Sequence, residues 1–178
     1  MKAARSTLAP PALETMGADR QFWQRTHRWR AGAVYVKVMP HPPLNRIMHV
    51  DDARDIRDVV RLALETLGGF AVESCASGAE ALARAPVFRP ELVLLDEMMP
   101  EMDGPTTFSR LRSVPGMESV PIVFMTAQSA PADITRLKGL GALAVIAEPF
   151  DPTTLADQVR AIWGRRSADH RARAGIPS

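Results

Sequence analysis

Five short, nearly continuous apolar runs constrain this chain most strongly, at residues 47–50, 70–75, 92–95, 122–125 and 144–147, with a helical segment between each and the next. Runs of this length are too short for helices. They read as strands buried on both faces, the pattern of a parallel sheet. Between them, Ile56, Val59, Val60, Ala63, Leu64 and Leu67 recur at i, i+3, i+4, i+7, i+8 and i+11, one helix face that Gly68-Gly69 closes. Ser77 and Glu80 make a capping box for a helix through about Ala85. After a loop containing Asp103-Gly104-Pro105, a short helix runs to about Arg112. A weaker helix over 131–140 turns Ile134 and Leu137 inward. Asp151 caps a last helix with Pro152 at its first position, Leu155, Val159 and Ile162 on one face, and Gly164 after its end. The alternation predicts an α/β fold, a doubly wound five-stranded parallel sheet with helices on both faces.

The 178 residues leave room for one such domain and two tails. An apolar fraction of 46% is that of a globular chain. No run approaches the ~18 apolar residues of a membrane span, and the first residues lack the apolar core of a secretory signal. A lone Cys75 agrees with a reducing, cytoplasmic setting. The net charge of +2 conceals an asymmetry. Residues 1–46 carry eight Lys/Arg against two Asp/Glu and residues 165–178 four against one, whereas 47–164 carry ten against seventeen. The expected division is a flexible basic extension over 1–45, the domain over 46–164 and a flexible basic tail over 165–178. Residues 33–38 could add a short strand, and a translation start at Met39 would make 1–38 a non-native extension.

In doubly wound sheets the site lies beyond the carboxyl ends of the strands. Asp51 and Asp52 end the first strand here, Asp96 the third, Thr126 the fourth and Glu148 the fifth. Gathered carboxylates repel by about 1 kcal/mol per pair at 4 Å even in water, so a fold keeps them where a cation or proton neutralises them. Oxygen ligands without nearby His or Cys favour Mg²⁺. Such an ion would screen an incoming phosphoryl group and leave one carboxylate as nucleophile. Each residue also has a plainer role. Asp51-Asp52 could cap the first helix, Thr126 could serve a strand-end turn, His49 reads as structural, and Met98, Met99 and Met102 read as loop packing.

Val50-Asp51-Asp52, Leu94-Leu95-Asp96 through Met99-Pro100 to Met102-Asp103-Gly104, Met125-Thr126-Ala127 and Pro149-Phe150 resemble, in order and spacing, the receiver domains of two-component response regulators. The resemblance covers about 46–164. It implies a flavodoxin-like sheet in the order 2-1-3-4-5 and a cis peptide before Pro149. It further implies that Asp96 takes a phosphoryl group from a histidine kinase or histidine phosphotransfer protein. Asp52, Asp96 and the Met98 backbone carbonyl would then bind Mg²⁺ directly, Asp51 through water, and Thr126 would hydrogen-bond the phosphoryl group and report its presence. A downstream protein partner would read the face of the fourth helix, fifth strand and fifth helix, and a homodimer stays open.

Two positions depart from the family pattern. Glu148 stands where the family has a Lys that reaches the phosphoryl oxygens, and Val145 where many members have an aromatic that swings inward with the Thr. The first expectation is a stand-alone phosphoacceptor with no DNA-binding domain, since fourteen residues follow Gly164. Its chemistry would be limited to its own phosphorylation and dephosphorylation. The alternative is a degenerate receiver that acts as a phosphorylation-independent interaction module. An aspartyl phosphatase is disfavoured because Met98 occupies the position of its second Asp. A dinucleotide-binding domain is disfavoured because no G-x-G-x-x-G follows the first strand.

Overall fold

The computed structural model describes residues 43–128 and 130–174, with side chains as far as 166. The strand expected over 33–38 and most of the N-terminal extension lie outside the described residues. Five parallel strands, β1 (Arg46–Val50), β2 (Ala71–Cys75), β3 (Leu92–Asp96), β4 (Ile122–Thr126) and β5 (Ala144–Ala147), form one sheet in the order β2-β1-β3-β4-β5. The order meets the expectation. Period-two alternation divides the core between the faces: Ile47, Leu92, Leu94 and Met125 pack on one side, and Met48, Val93, Leu95 and Phe124 on the other. Helices α1 (Arg54–Leu62) and α5 (Pro152–Ala174) cover the first face. The second is covered by α2 (Gly78–Phe88), α3 (Gly104–Leu111) and α4 (Pro131–Gly139). Register brings Val50 beside Leu95 and Asp96 beside Met125, so the strand ends that carry the acids are aligned.

The first helix is not uniform. After Leu62 it continues as a π-helical turn, Ala63–Leu67, in which Gly68 N–H reaches back five residues to the Ala63 carbonyl. The wider turn shifts the stripe, so Leu64 stays fully buried while Leu67 is 55% exposed. Val59, expected inward, is also exposed. Gly69 then closes the turn with φ +67.

The capping box holds. Glu80 N–H donates to Ser77 Oγ at 3.2 Å, and the Glu80 carboxylate accepts the Ala76 N–H at 2.8 Å. Helix α2 runs three residues beyond the expected Ala85 and contains Pro86. Arg89, at φ 53, ends it by donating its N–H to the Ala85 carbonyl at 2.9 Å.

Helix α5 begins at Pro152 as expected, with Asp151 Oδ1 accepting the Thr153 N–H at 2.8 Å. It does not stop at Gly164 but continues to Ala174, so the stretch assigned to the tail begins inside the helix. A stop there would need a positive φ, and Gly164 is not among the positive-φ glycines. Nothing lies within 4 Å of where its Cβ would stand. Gly164→Ala is therefore expected to stabilise the protein by about 0.5–1 kcal/mol in urea unfolding. A loss of stability would mean that the glycine caps the helix after all. No described helix is long and apolar enough to cross a membrane.

Candidate functional site

Asp51 follows β1 and is buried, its N–H donating to the Cys75 carbonyl at 3.1 Å. Its Oδ1 accepts the Ala53 N–H at 2.7 Å, a local turn that precedes the helix. The N-cap of α1 is Ala53, without a side-chain cap, so the capping role does not account for the acid pair. Arg57 spends its guanidinium on the carbonyls of Asp51 and Asp52, at 2.7 Å each, and fixes the loop rather than neutralising the carboxylates. Asp96, half-buried at the end of β3, has its Oδ1 bonded to the Met98 N–H at 3.2 Å.

One carboxylate oxygen each of Asp51, Asp52 and Asp96 lies within 4.8 Å of the other two. Among the described residues no Arg or Lys forms an ion pair with any of them. Burial, and then the charges of Asp96, Glu148 and Asp52, push the Asp51 carboxyl up to about 6 against the opposing Ala53 N–H. The Asp96 carboxyl is raised by burial and by Asp52, against the Met98 N–H. His49 is fully buried with its Nε2 3.9 Å from Asp51 Oδ2. Burial and Arg57 push it down to about 3, so it stays neutral and offsets none of this charge.

Glu148 is half-buried. Its N–H donates to the Thr126 carbonyl at 2.8 Å, and the peptide to Pro149 is cis, as the resemblance implied. Its Oε1 is buried with no hydrogen-bond partner among the described residues. Burial and Asp96 raise its carboxyl. The side chain therefore adds negative charge to the acid cluster. Val145 is half-buried in the core of the second face, beside Phe124 in the sheet. Met99 is buried, but Met98 is 64% exposed and is not loop packing.

Thr126 ends β4 and is 1% exposed. Its Oγ1 donates to Glu97 Oε2 at 2.6 Å and accepts the Gln128 N–H at 2.9 Å. Glu97 is only 3% exposed, and its other carboxylate oxygen pairs with Arg136 on α4. Sequence reasoning missed Glu97. The available signal was a second acid directly after an apolar strand, where a solvated loop charge is the ordinary expectation.

A doubly wound parallel sheet with three acids converging at its carboxyl rim defines a class of domain whose site could take a divalent cation. The response regulator receiver domain model matches residues 47–160. The chain is 34% identical to response regulator Rre1 of Synechocystis over 126 residues, which are 71% of this chain and 54% of that one. It is 35% identical over 129 residues to response regulator MprA of Mycobacterium leprae, again 71% and 54% of the two chains. Chemotaxis protein CheY4 of Vibrio cholerae superposes with a TM-score of 0.63 at 30% identity, covering 67% of this chain and 99% of that one. The chain belongs to the response regulator receiver family, a component of two-component signalling. It spans about half the length of the curated relatives it matches.

Proposed function

We propose that the chain is a Mg²⁺-dependent phosphoacceptor that receives a phosphoryl group on Asp96 from a histidine kinase or histidine phosphotransfer protein. The observation that carries this reading is the convergence of the Asp51, Asp52 and Asp96 oxygens at one rim of the sheet without an ion-paired cation. An oxygen-only donor set with this excess of negative charge fits Mg²⁺. Asp52, Asp96 and the Met98 carbonyl would hold the ion directly and Asp51 through water. Bound there, the ion supplies the positive charge that screens an incoming phosphoryl group.

An Asp96 carboxylate oxygen attacks phosphorus, forming an O–P bond as the donor's N–P bond breaks. The departing imidazole nitrogen keeps the electron pair and is protonated from solvent, and nothing is oxidised or reduced. Thr126 then hydrogen-bonds the acyl phosphate. The altered domain acts through a protein partner at the face of α4, β5 and α5, in the cytoplasm where the kinase would meet it.

Acetyl phosphate with Mg²⁺ should give an acid-stable, base-labile adduct, detected by intact mass and absent in Asp96→Asn. A second reading, a phosphorylation-independent interaction module, is favoured by the buried, unpartnered Glu148 oxygen. No adduct on the native protein, together with no Mg²⁺-induced NMR shift, would select it.

The pH dependence has a defined sign. With the Asp51 carboxyl at about 6, the group is protonated below that pH, and Mg²⁺ and the proton compete. Calorimetric titration should show Mg²⁺ affinity level above about pH 7 and falling by up to about tenfold per pH unit below 6, with proton release near pH 6. Affinity unchanged down to pH 5 would mean that Asp51 is ionised throughout that range.

A further inference from the structure

A hydroxyl group has one hydrogen to give. That of Thr126 goes to Glu97 Oε2, while the oxygen accepts the Gln128 N–H, so its one proton is committed. To serve a phosphoryl oxygen on the neighbouring Asp96, the hydroxyl has to leave Glu97. At 3% exposure, Glu97 has no water to replace what it loses. Its remaining partner is Arg136, half-exposed on α4, which also lies 4.0 Å from Asp133 Oδ1. This polar chain joins Thr126 to the α4 surface.

We propose that Glu97 is a positioning residue that holds the Thr126 hydroxyl away from the phosphoryl site, and that its release is passed to the surface through Arg136. The proposal rests on the reading of Asp96 as phosphoacceptor. Before phosphorylation Glu97 is shared between the hydroxyl and the guanidinium. Once Thr126 turns to the acyl phosphate, the carboxylate is left to Arg136 alone, and the pairing of α4 with the strand end changes.

The test compares wild type, Glu97→Gln, Thr126→Ala and the double variant, each treated with acetyl phosphate and Mg²⁺. Adduct formation and decay are followed by mass, and the Arg136 Nε–H signal by NMR after addition of beryllofluoride with Mg²⁺. A neutral amide grips the hydroxyl less strongly, so Glu97→Gln should prolong the adduct about fivefold. The same substitution should have no further effect in the Thr126→Ala background. The Arg136 signal should shift on beryllofluoride binding in wild type and stay in place in Thr126→Ala.

If Glu97→Gln acts equally with or without the Thr126 hydroxyl, its role is structural and the proposal is overturned. Equal adduct lifetimes in wild type and Glu97→Gln overturn it as well, with the Asp96 reading intact. No adduct in any variant defeats the Asp96 reading and this proposal together, and an adduct seen only in Glu97→Gln supports both. Should Glu97→Gln not fold, Arg136→Gln leaves Thr126 as the sole partner of Glu97 and should shorten the adduct lifetime. An unaltered lifetime there also counts against the proposal.

Discussion

Glu148→Lys is expected to raise the yield or lifetime of the Asp96 adduct about thirtyfold while weakening Mg²⁺ binding by the resting protein about tenfold. A unit charge 4 Å from another is worth about 4 kcal/mol at an effective dielectric of 20. Glu148 is half-exposed, so solvent screening takes a large share. Reversing the charge beside a dianionic group then leaves on the order of 2 kcal/mol, about thirtyfold in rate. The two effects carry opposite signs because the same negative charge that repels a phosphoryl group attracts a divalent cation. Adduct decay at fixed Mg²⁺ and a separate Mg²⁺ titration would read them independently. If both stay at native values, the Glu148 charge does not reach the site.

Gly104→Ala is expected to destabilise the domain by about 2–3 kcal/mol, lowering the melting temperature by about 10 °C. An added Cβ would stand 2.4 Å from the Asp96 carbonyl oxygen, 2.9 Å from Glu97 Cα and 3.0 Å from the Phe124 ring. The ring could shift, but the other two atoms belong to the backbone that leaves β3. The Gly104 N–H donates to the Glu97 carbonyl at 2.9 Å, which draws the helix start against that strand end. Any relief must therefore displace Asp96 and Glu97, and Mg²⁺ binding should weaken along with stability. Gly69→Ala is the control: φ is +67 with nothing within 4 Å of the added carbon, so it should cost about 1–2 kcal/mol and leave Mg²⁺ binding alone. A Gly104→Ala protein that melts like wild type would rule out the close approach.

The acids were legible because parallel strands align their carboxyl ends, so a polar residue that stops an apolar run is placed by topology. Asp51, Asp52, Asp96 and Thr126 could be assigned to one rim before any coordinate was known. Glu97 could not. Whether the residue after a strand turns inward depends on the local path of the chain and on a partner, Arg136, 39 residues away. The exposure of Leu67 was not legible because a 3.6-residue period cannot anticipate the wider turn at Ala63–Leu67; Val59, one turn earlier, lies at the edge of the buried stripe. Gly164 misled for a related reason, since glycine permits a helix end without compelling one.

The backbone and side chain of Glu148 have separate employment. Its amide ties the end of one edge strand to its neighbour, as any residue but proline would there, while its carboxylate adds to the local negative charge. A change of side chain at this position would therefore alter the charge that faces Asp51 and Asp96 while leaving the strand pairing in place.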